Sequence, residues 1–271
     1  FPPTKGNANL CGYDLEHELK SIYSVMGICP QFDICWPQLT IKEHLEFYAR
    51  IKGVNQNQME NVLTKLLEEV DLLEAKDKLS KDLSGGMRRR LSLAMALVGD
   101  PDVVFLDEPT TGLDPETKRN IWALLDRVKE NRCIVLTTHS MDEADALCGR
   151  IGIMSHGLMR CLGTNLHLKN RYGNGYKIEI RFVPEKKREA HRFIMKLLPK
   201  AKLVEEHGDD VLMYEVGKSN VVLSNVFQAM QKRPSNLGIL DYGVRQTSLE
   251  EVFLKIARES EAAFHSQRKK I

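Results

Sequence analysis

Along the first half of the chain the spacing of apolar residues changes several times, and each change marks an element. Residues 7–30 hold two short strand candidates, "NANLCG" and "SVMGICP", either side of a helical stretch near residues 15–22. From residue 40 to 81 the spacing turns to three and four, with Ile41, Leu45, Tyr48 and Ala49, then Val62, Leu66, Leu67 and Val70, and predicts a helical insert. A further helix is expected from a cap at Asp82 or Ser84 to about Val98, stopped by Gly99 and Pro101. "DVVFLD" and "CIVLTT" are continuous apolar runs of the kind that form parallel strands covered on both faces. Between them Asp114 caps a helix with Pro115 at its first position and Ile121, Leu124, Leu125 and Val128 as its buried stripe. Ser140 and Glu143 then give a capping-box pattern for a helix ending near Gly149. Strands alternating with helices predict an open α/β sheet, in which ligands gather at the carboxyl ends of the strands.

From Tyr176 the pattern is different. "YKIEIRFV" alternates as a half-exposed strand does, "EKKREAHRFIMKLL" is an amphipathic helix ended by Pro199, and "AKLVEEH" pairs through Gly208-Asp209-Asp210 with "VLMYEV". A helix over about residues 219–230 and a strand over residues 239–244 complete the order strand, helix, strand, strand, helix, strand, which is the small α+β ferredoxin-like arrangement and implies no chemistry by itself. "TSLEEVFLKIA" predicts a closing helix with Leu249, Val252, Phe253 and Ile256 on one face, docked back onto the chain. The expected division is therefore residues 1–164 for the α/β part, with 40–98 as a helical subdomain, residues 165–258 for the ferredoxin-like part and its docking helix, and 259–271 as a disordered basic tail suited to an anionic membrane surface.

Composition narrows the partners. The 271 residues are 42% apolar, enough for real cores, and 39 Lys plus Arg balance 37 Asp plus Glu, so nothing in the overall charge attracts nucleic acid. Cys11, Cys29, Cys35, Cys133, Cys148 and Cys161 contain no Cys-x-x-Cys pair, and no Asn-x-Ser/Thr site is present; together these favour a reducing, cytosolic setting. No apolar run approaches the roughly 20 residues that cross a bilayer. The opening "FPPTKG" reads as the interior of a domain, so further sequence is expected upstream.

Polar residues collect at the predicted strand ends. Asp107 and Glu108 follow four apolar residues, and a carboxylate at the tip of a buried strand suits Mg²⁺ while a second beside it can polarise an attacking water; the alternative is a simple turn cap. His139 can donate to a phosphate oxygen and Gln31 can offer an amide oxygen to a metal, although each alone is more often structural. "LSGG" at residues 83–86 places a hydroxyl and two unhindered amides at a helix start, where anions are favoured. Arg88, Arg89 and Arg90 read most simply as a solvated basic face.

In the order Gln31, helical insert, Leu83-Ser84-Gly85-Gly86, Asp107-Glu108, Gly112-Leu113-Asp114, His139, the set resembles the nucleotide-binding domain of ATP-binding cassette (ABC) proteins: "PQ" the Q-loop, "LSGGM" the signature, "VVFLDEP" the Walker B strand, "GLD" the D-loop, and His139 the switch histidine. The resemblance covers roughly residues 1–164 and implies a P-loop NTPase type of sheet with ATP and Mg²⁺ as cofactors. It implies Glu108 as general base with His139, Asp107 and Gln31 toward Mg²⁺, Ser84 and its neighbours closing over ATP held by a second cassette, and Asp114 at the seam. A cassette followed by a ferredoxin-like domain and "SLEEVFL" is similar to the A subfamily of eukaryotic ABC transporters, mostly lipid movers. That resemblance implies membrane domains as partners and a place on the cytosolic face of a membrane. The motor of a bacterial-type drug or polysaccharide exporter and a non-catalytic interaction module stand as alternatives.

A phosphate-cradling loop, G-x-x-x-x-G-K-[ST], is nowhere in these residues. The one Gly-Lys-Ser, Gly217-Lys218-Ser219, has Leu212 where the first glycine belongs, and reads as a strand end and helix cap. The expected fold is thus a partial P-loop sheet, and the isolated chain is expected to hydrolyse no ATP.

Overall fold

The computed structural model describes residues 4–268. The chain forms two compact units, one ending at Leu147 and the other beginning at Cys148. This division falls before the expected 164/165 boundary because the antiparallel hairpin of β6 (Ile151–Ser155) and β7 (Leu158–Gly163) packs within the second unit, against the closing helix and the helix that follows the hairpin.

The first unit opens with a two-stranded turn, β1 (Asn9–Leu10) and β2 (Tyr13–Asp14), then α1 (Leu19–Val25) and β3 (Met26–Cys29). The helical insert is α2 (Ile41–Ile51) and α3 (Met59–Glu69). Thr40 starts α2 through a full capping box, its hydroxyl accepting from the Glu43 N–H while the Glu43 carboxylate accepts from the Thr40 N–H at 2.8 Å. After it come α4 (Gly85–Leu97), β4 (Val103–Asp107), α5 (Pro115–Val128), β5 (Cys133–Thr137) and α6 (Met141–Leu147). Strands β3, β4 and β5 form a parallel sheet with β4 in the middle, Cys29 opposite Leu106 and Leu106 opposite Leu136.

One face of this sheet, Cys29, Val104 and Leu106, joins a core with Leu91, Ala94, Ile121 and Leu124 from α4 and α5. Helix α4 lies so close to β3 that a Cβ on Gly27 would sit 1.9 Å from the Ala96 carbonyl oxygen; only glycine allows the contact. The opposite face departs from expectation. Ile28, Phe105 and Val135 stand in one row across the strands, with Ile28 58% and Val135 45% exposed, so β5 is not the doubly covered strand that its apolar run predicts.

The second unit continues with α7 (Asn165–Tyr172), β8 (Tyr176–Phe182), α8 (Lys187–Leu197), β9 (Lys202–His207), β10 (Val211–Val216), α9 (Leu223–Gln231), β11 (Ile239–Gln246) and α10 (Leu249–Arg268). The sheet order is β11-β8-β10-β9, all antiparallel, which is the split arrangement expected of a ferredoxin-like domain. Ile178, Ile180, Phe182, Leu212 and Tyr214 form its core with Ala190 and Ile194 of α8 and Val226 and Met230 of α9. Leu249, Val252 and Ile256 are buried as expected of a docking helix. Residues 259–268, expected to be a disordered tail, are instead the last turns of α10, where the Phe264 ring stacks on His156 at 4.5 Å. Lys269 to Ile271, the rest of that expected tail, lie outside the described residues.

Gly217-Lys218-Ser219 ends β10 and enters a single 3-10 turn. The Lys218 ammonium donates to Asn170 and lies 5.9 Å from the centre of the Tyr176 ring, so its charge is engaged inside the second unit.

Candidate functional site

Parallel register brings the predicted polar residues to one end of the sheet. Asp107 is the last residue of β4 and stands opposite Thr137, the last of β5, whose hydroxyl donates to the Asp107 carboxylate. Glu108 follows, its N–H donating to the Thr137 carbonyl at 3.1 Å. His139 comes two residues after β5 and Gln31 two residues after β3.

Glu108 is the centre of this group. Its backbone turns through φ +44°, in the left-handed region that costs a residue with a side chain of order 1 kcal/mol or more. Its Oε2 accepts from the Thr111 hydroxyl at 2.6 Å and lies 2.9 Å from Nδ1 of His139. The Thr111 hydroxyl first, and His139 second, hold the Glu108 carboxyl below its usual range, so it stays ionised. The Asp107 carboxylate and the Thr137 hydroxyl beside it offer oxygen ligands, which fit a hard cation such as Mg²⁺; Gln31 is exposed two residues beyond β3.

Leu83 to Gly86 and Asp114 form a second group. Ser84 caps α4 by accepting from the Met87 N–H at 3.2 Å, Leu83 is buried behind it, and Ser84 and Gly85 are exposed at the helix start, where first-turn amides have no partner within the helix. Asp114 caps α5, accepting from the Thr117 N–H at 3.0 Å and from its hydroxyl at 2.6 Å. Thr117 joins the two helix starts, because a Cβ on Gly86 would stand 2.8 Å from its Cγ2. Replacing Gly86 with Ala should therefore cost about 1–3 kcal/mol by overpacking, read as a lowered urea midpoint, and removing the opposing methyl with Thr117→Ser should recover part of it.

Two residues that sequence reasoning passed over link these groups. Arg89, expected on a solvated face with its neighbours, is instead buried, with its side chain 5% exposed. Arg88 is exposed and Arg90 pairs with Asp71 at 2.6 Å, so only one of the three arginines points inward. Glu143 does not close the predicted capping box. Only a weak half of the box forms, the Glu143 N–H donating to Ser140 Oγ at 3.4 Å, while its buried carboxylate takes the Thr110 hydroxyl at 2.8 Å and the Trp122 indole N–H at 3.2 Å. It thereby ties the helix after His139 to the loop after Glu108.

Comparison with known proteins bears on the fold and the family. The ABC transporter family model matches residues 1–111, and the ABCA1-like C-terminal R1 regulatory domain model matches residues 173–246. Among solved structures, an ATP binding subunit of an ABC transporter aligns with a TM-score of 0.56 at 25% identity, covering 63% of this chain and 72% of that one. A dimeric, post-hydrolysis ATP-binding cassette bound to ADP and Pi shares the fold, with a TM-score of 0.53 at 24% identity over 60% of this chain and 74% of the other. The chain carries an ABC transporter ATP-binding domain. More particularly, that domain is of the A-family kind, joined to an ABCA1-like R1 domain. ABC transporter A family member 12 of Arabidopsis thaliana is 39% identical over 262 residues, and A family member 9 of Dictyostelium discoideum 41% identical over 260. These alignments take in 96% and 95% of this chain but 28% and 30% of the relatives, so the chain spans under a third of their length.

Proposed function

We propose that this chain is the cytosolic motor part of a membrane transporter, coupling ATP binding and hydrolysis to the movement of a substrate, most simply a lipid. In this reading Glu108 accepts a proton from the attacking water, His139 orients Glu108 and the terminal phosphate, and Asp107 and Gln31 hold Mg²⁺. Ser84, Gly85 and Gly86 close over ATP held by a second cassette, and Asp114 lies along the seam between the two. The observation that carries the reading is the convergence of Asp107, Glu108 and His139 at the carboxyl ends of parallel strands, with the capped signature helix on the same unit. The lipid assignment is supported by the likeness to A-family transporters and the R1 domain.

Membrane domains are the second expected partner. Phe32 and Ile34, directly after Gln31, are exposed, and Trp36 stacks edge-on against Phe47 at 5.2 Å beside exposed Ile51. This apolar surface supports docking of a membrane domain next to the residue that senses Mg²⁺. No helix among the described residues is long and apolar enough to cross a membrane.

Two measurements test the reading. The 271-residue chain alone, lacking any glycine loop for the phosphates, should show no saturable ATP turnover; the full-length protein that carries this sequence should hydrolyse ATP, and should lose that activity when Ser84 is replaced by Arg. A full-length protein without ATP turnover, or an active isolated chain, would contradict it.

A further inference from the structure

The guanidinium of Arg89 is shared between two loops. Nε donates to the Pro109 carbonyl at 2.7 Å, and Nη2 donates to the carbonyls of Asp107 at 3.1 Å and Glu108 at 3.3 Å. Nη1 donates to the carbonyls of Pro30 at 2.7 Å and Gln31 at 3.3 Å and to the Asp33 carboxylate at 3.2 Å. Asp33 is held a second time by the Ser92 hydroxyl at 2.8 Å, one turn further along α4. One buried cation therefore collects three successive carbonyls around Glu108 and two around Gln31.

Those three carbonyls bracket the left-handed turn at Glu108. A turn of that kind persists only where its surroundings over-determine it, and a planar fork of five N–H donors can fix several carbonyls at once where a lysine ammonium cannot. Burial sharpens the constraint, because a guanidinium cut off from water must keep its partners or leave a charge unsatisfied. Since Arg89 sits five residues beyond Ser84 on the same helix, any shift of the signature helix is transmitted to both loops together.

We infer that Arg89 is a positioning residue for ATP hydrolysis: it sets the backbone turn that aims the Glu108 carboxylate and locks the Gln31 loop to the same helix that carries Ser84. This rests on the proposed ATPase reading but adds to it a coupling element that acts through the backbone of the two loops.

The test has a wild-type arm and a variant arm. In the 271-residue chain, nitrogen-15 NMR should show hindered rotation about the Arg89 Nε–Cζ bond and slowed exchange of its Nε–H; free rotation would overturn the inference without any mutation. In the full-length protein, Arg89→Ala and Arg89→Lys should each lower kcat by roughly 10²-fold, the scale set by small misplacements of catalytic groups, with KM for ATP unchanged. Millimolar guanidinium should restore part of kcat to Arg89→Ala and none to Arg89→Lys, whose side chain fills the space. Wild-type kcat in Arg89→Lys, or a loss that guanidinium does not relieve and that only tracks the folded fraction, would sink the inference. Absence of turnover in the wild-type protein would instead sink the ATPase reading itself. Should the variants fail to fold, the rotation measurement decides.

Discussion

Glu108→Gln should reduce ATP turnover by about 10²–10⁴-fold in the full-length protein while leaving its folded structure in place, because the change removes a proton acceptor and little else. The amide keeps the size of the carboxylate and can still take the Thr111 hydroxyl, now 2.6 Å from Oε2, so the left-handed turn and its backbone bonds need not move. What disappears is the group proposed to accept a proton from water. The pH dependence has a definite sign. The Thr111 hydroxyl, then His139, lower the Glu108 pKa beneath its ordinary 4.5, so the base is present throughout the neutral range. Because the folded value is the depressed one, the stability these bonds contribute is present above the unfolded pKa and is lost as pH falls through the folded one. A pH–rate profile of the wild type should therefore show no loss of this base until the solution is more acidic than the ordinary glutamate range; an acid limb above that range that vanishes in Thr111→Ala would contradict the assignment.

Phe182→Ala should destabilise the second unit by about 3–5 kcal/mol, the range for deleting a fully buried aromatic. Phe182 ends β8 with no exposed surface, among Ile180, Leu212, Ala190 and Ile194, and its N–H donates to the Asp210 carbonyl at 2.8 Å. Both the transferred ring and the void it leaves count against the folded state. A loss of that size is comparable to the whole stability of many small domains, so the near-ultraviolet signal of this unit should collapse at far lower urea. Phe182→Leu, which keeps most of the volume, should cost less than about 1.5 kcal/mol. Equal effects from the two substitutions would show that the ring does not fill the core as described.

Much of the architecture is legible in local chemistry. Asp114 followed by Pro115 announces α5, Ser84 announces α4, and "VVFLD" announces β4, since caps and apolar runs act through neighbours in the chain. The ferredoxin-like order follows equally from alternation, an amphipathic helix and a tight turn. Arg89 shows the limit. Residues 88, 89 and 90 are all arginine, and α4 turns each by about 100° from the last, so composition cannot say which one faces inward. The carbonyls that select it come from residues 30–31 and 107–109, which only folding brings around α4. Glu143 is similar: its sequence position favours a cap, yet Thr110 and Trp122 offer buried donors that win the carboxylate. The exposure of β5 shows the reverse limit, because an apolar run states what a strand can bury and not what lies across from it.

By itself the sequence determined most of the helices and strands, the caps at Ser84 and Asp114 and the identity of the residues at the strand ends, because propensity, capping and periodicity operate over a few residues. The tertiary structure decided which of those residues meet. Parallel register set Asp107 beside Thr137 and Glu108 within reach of His139, and helix packing turned one of three equal arginines into the buried clamp between the loops. Those choices depend on contacts between positions tens of residues apart, where desolvation and the geometry of hydrogen-bond donors outweigh anything that neighbouring residues can specify.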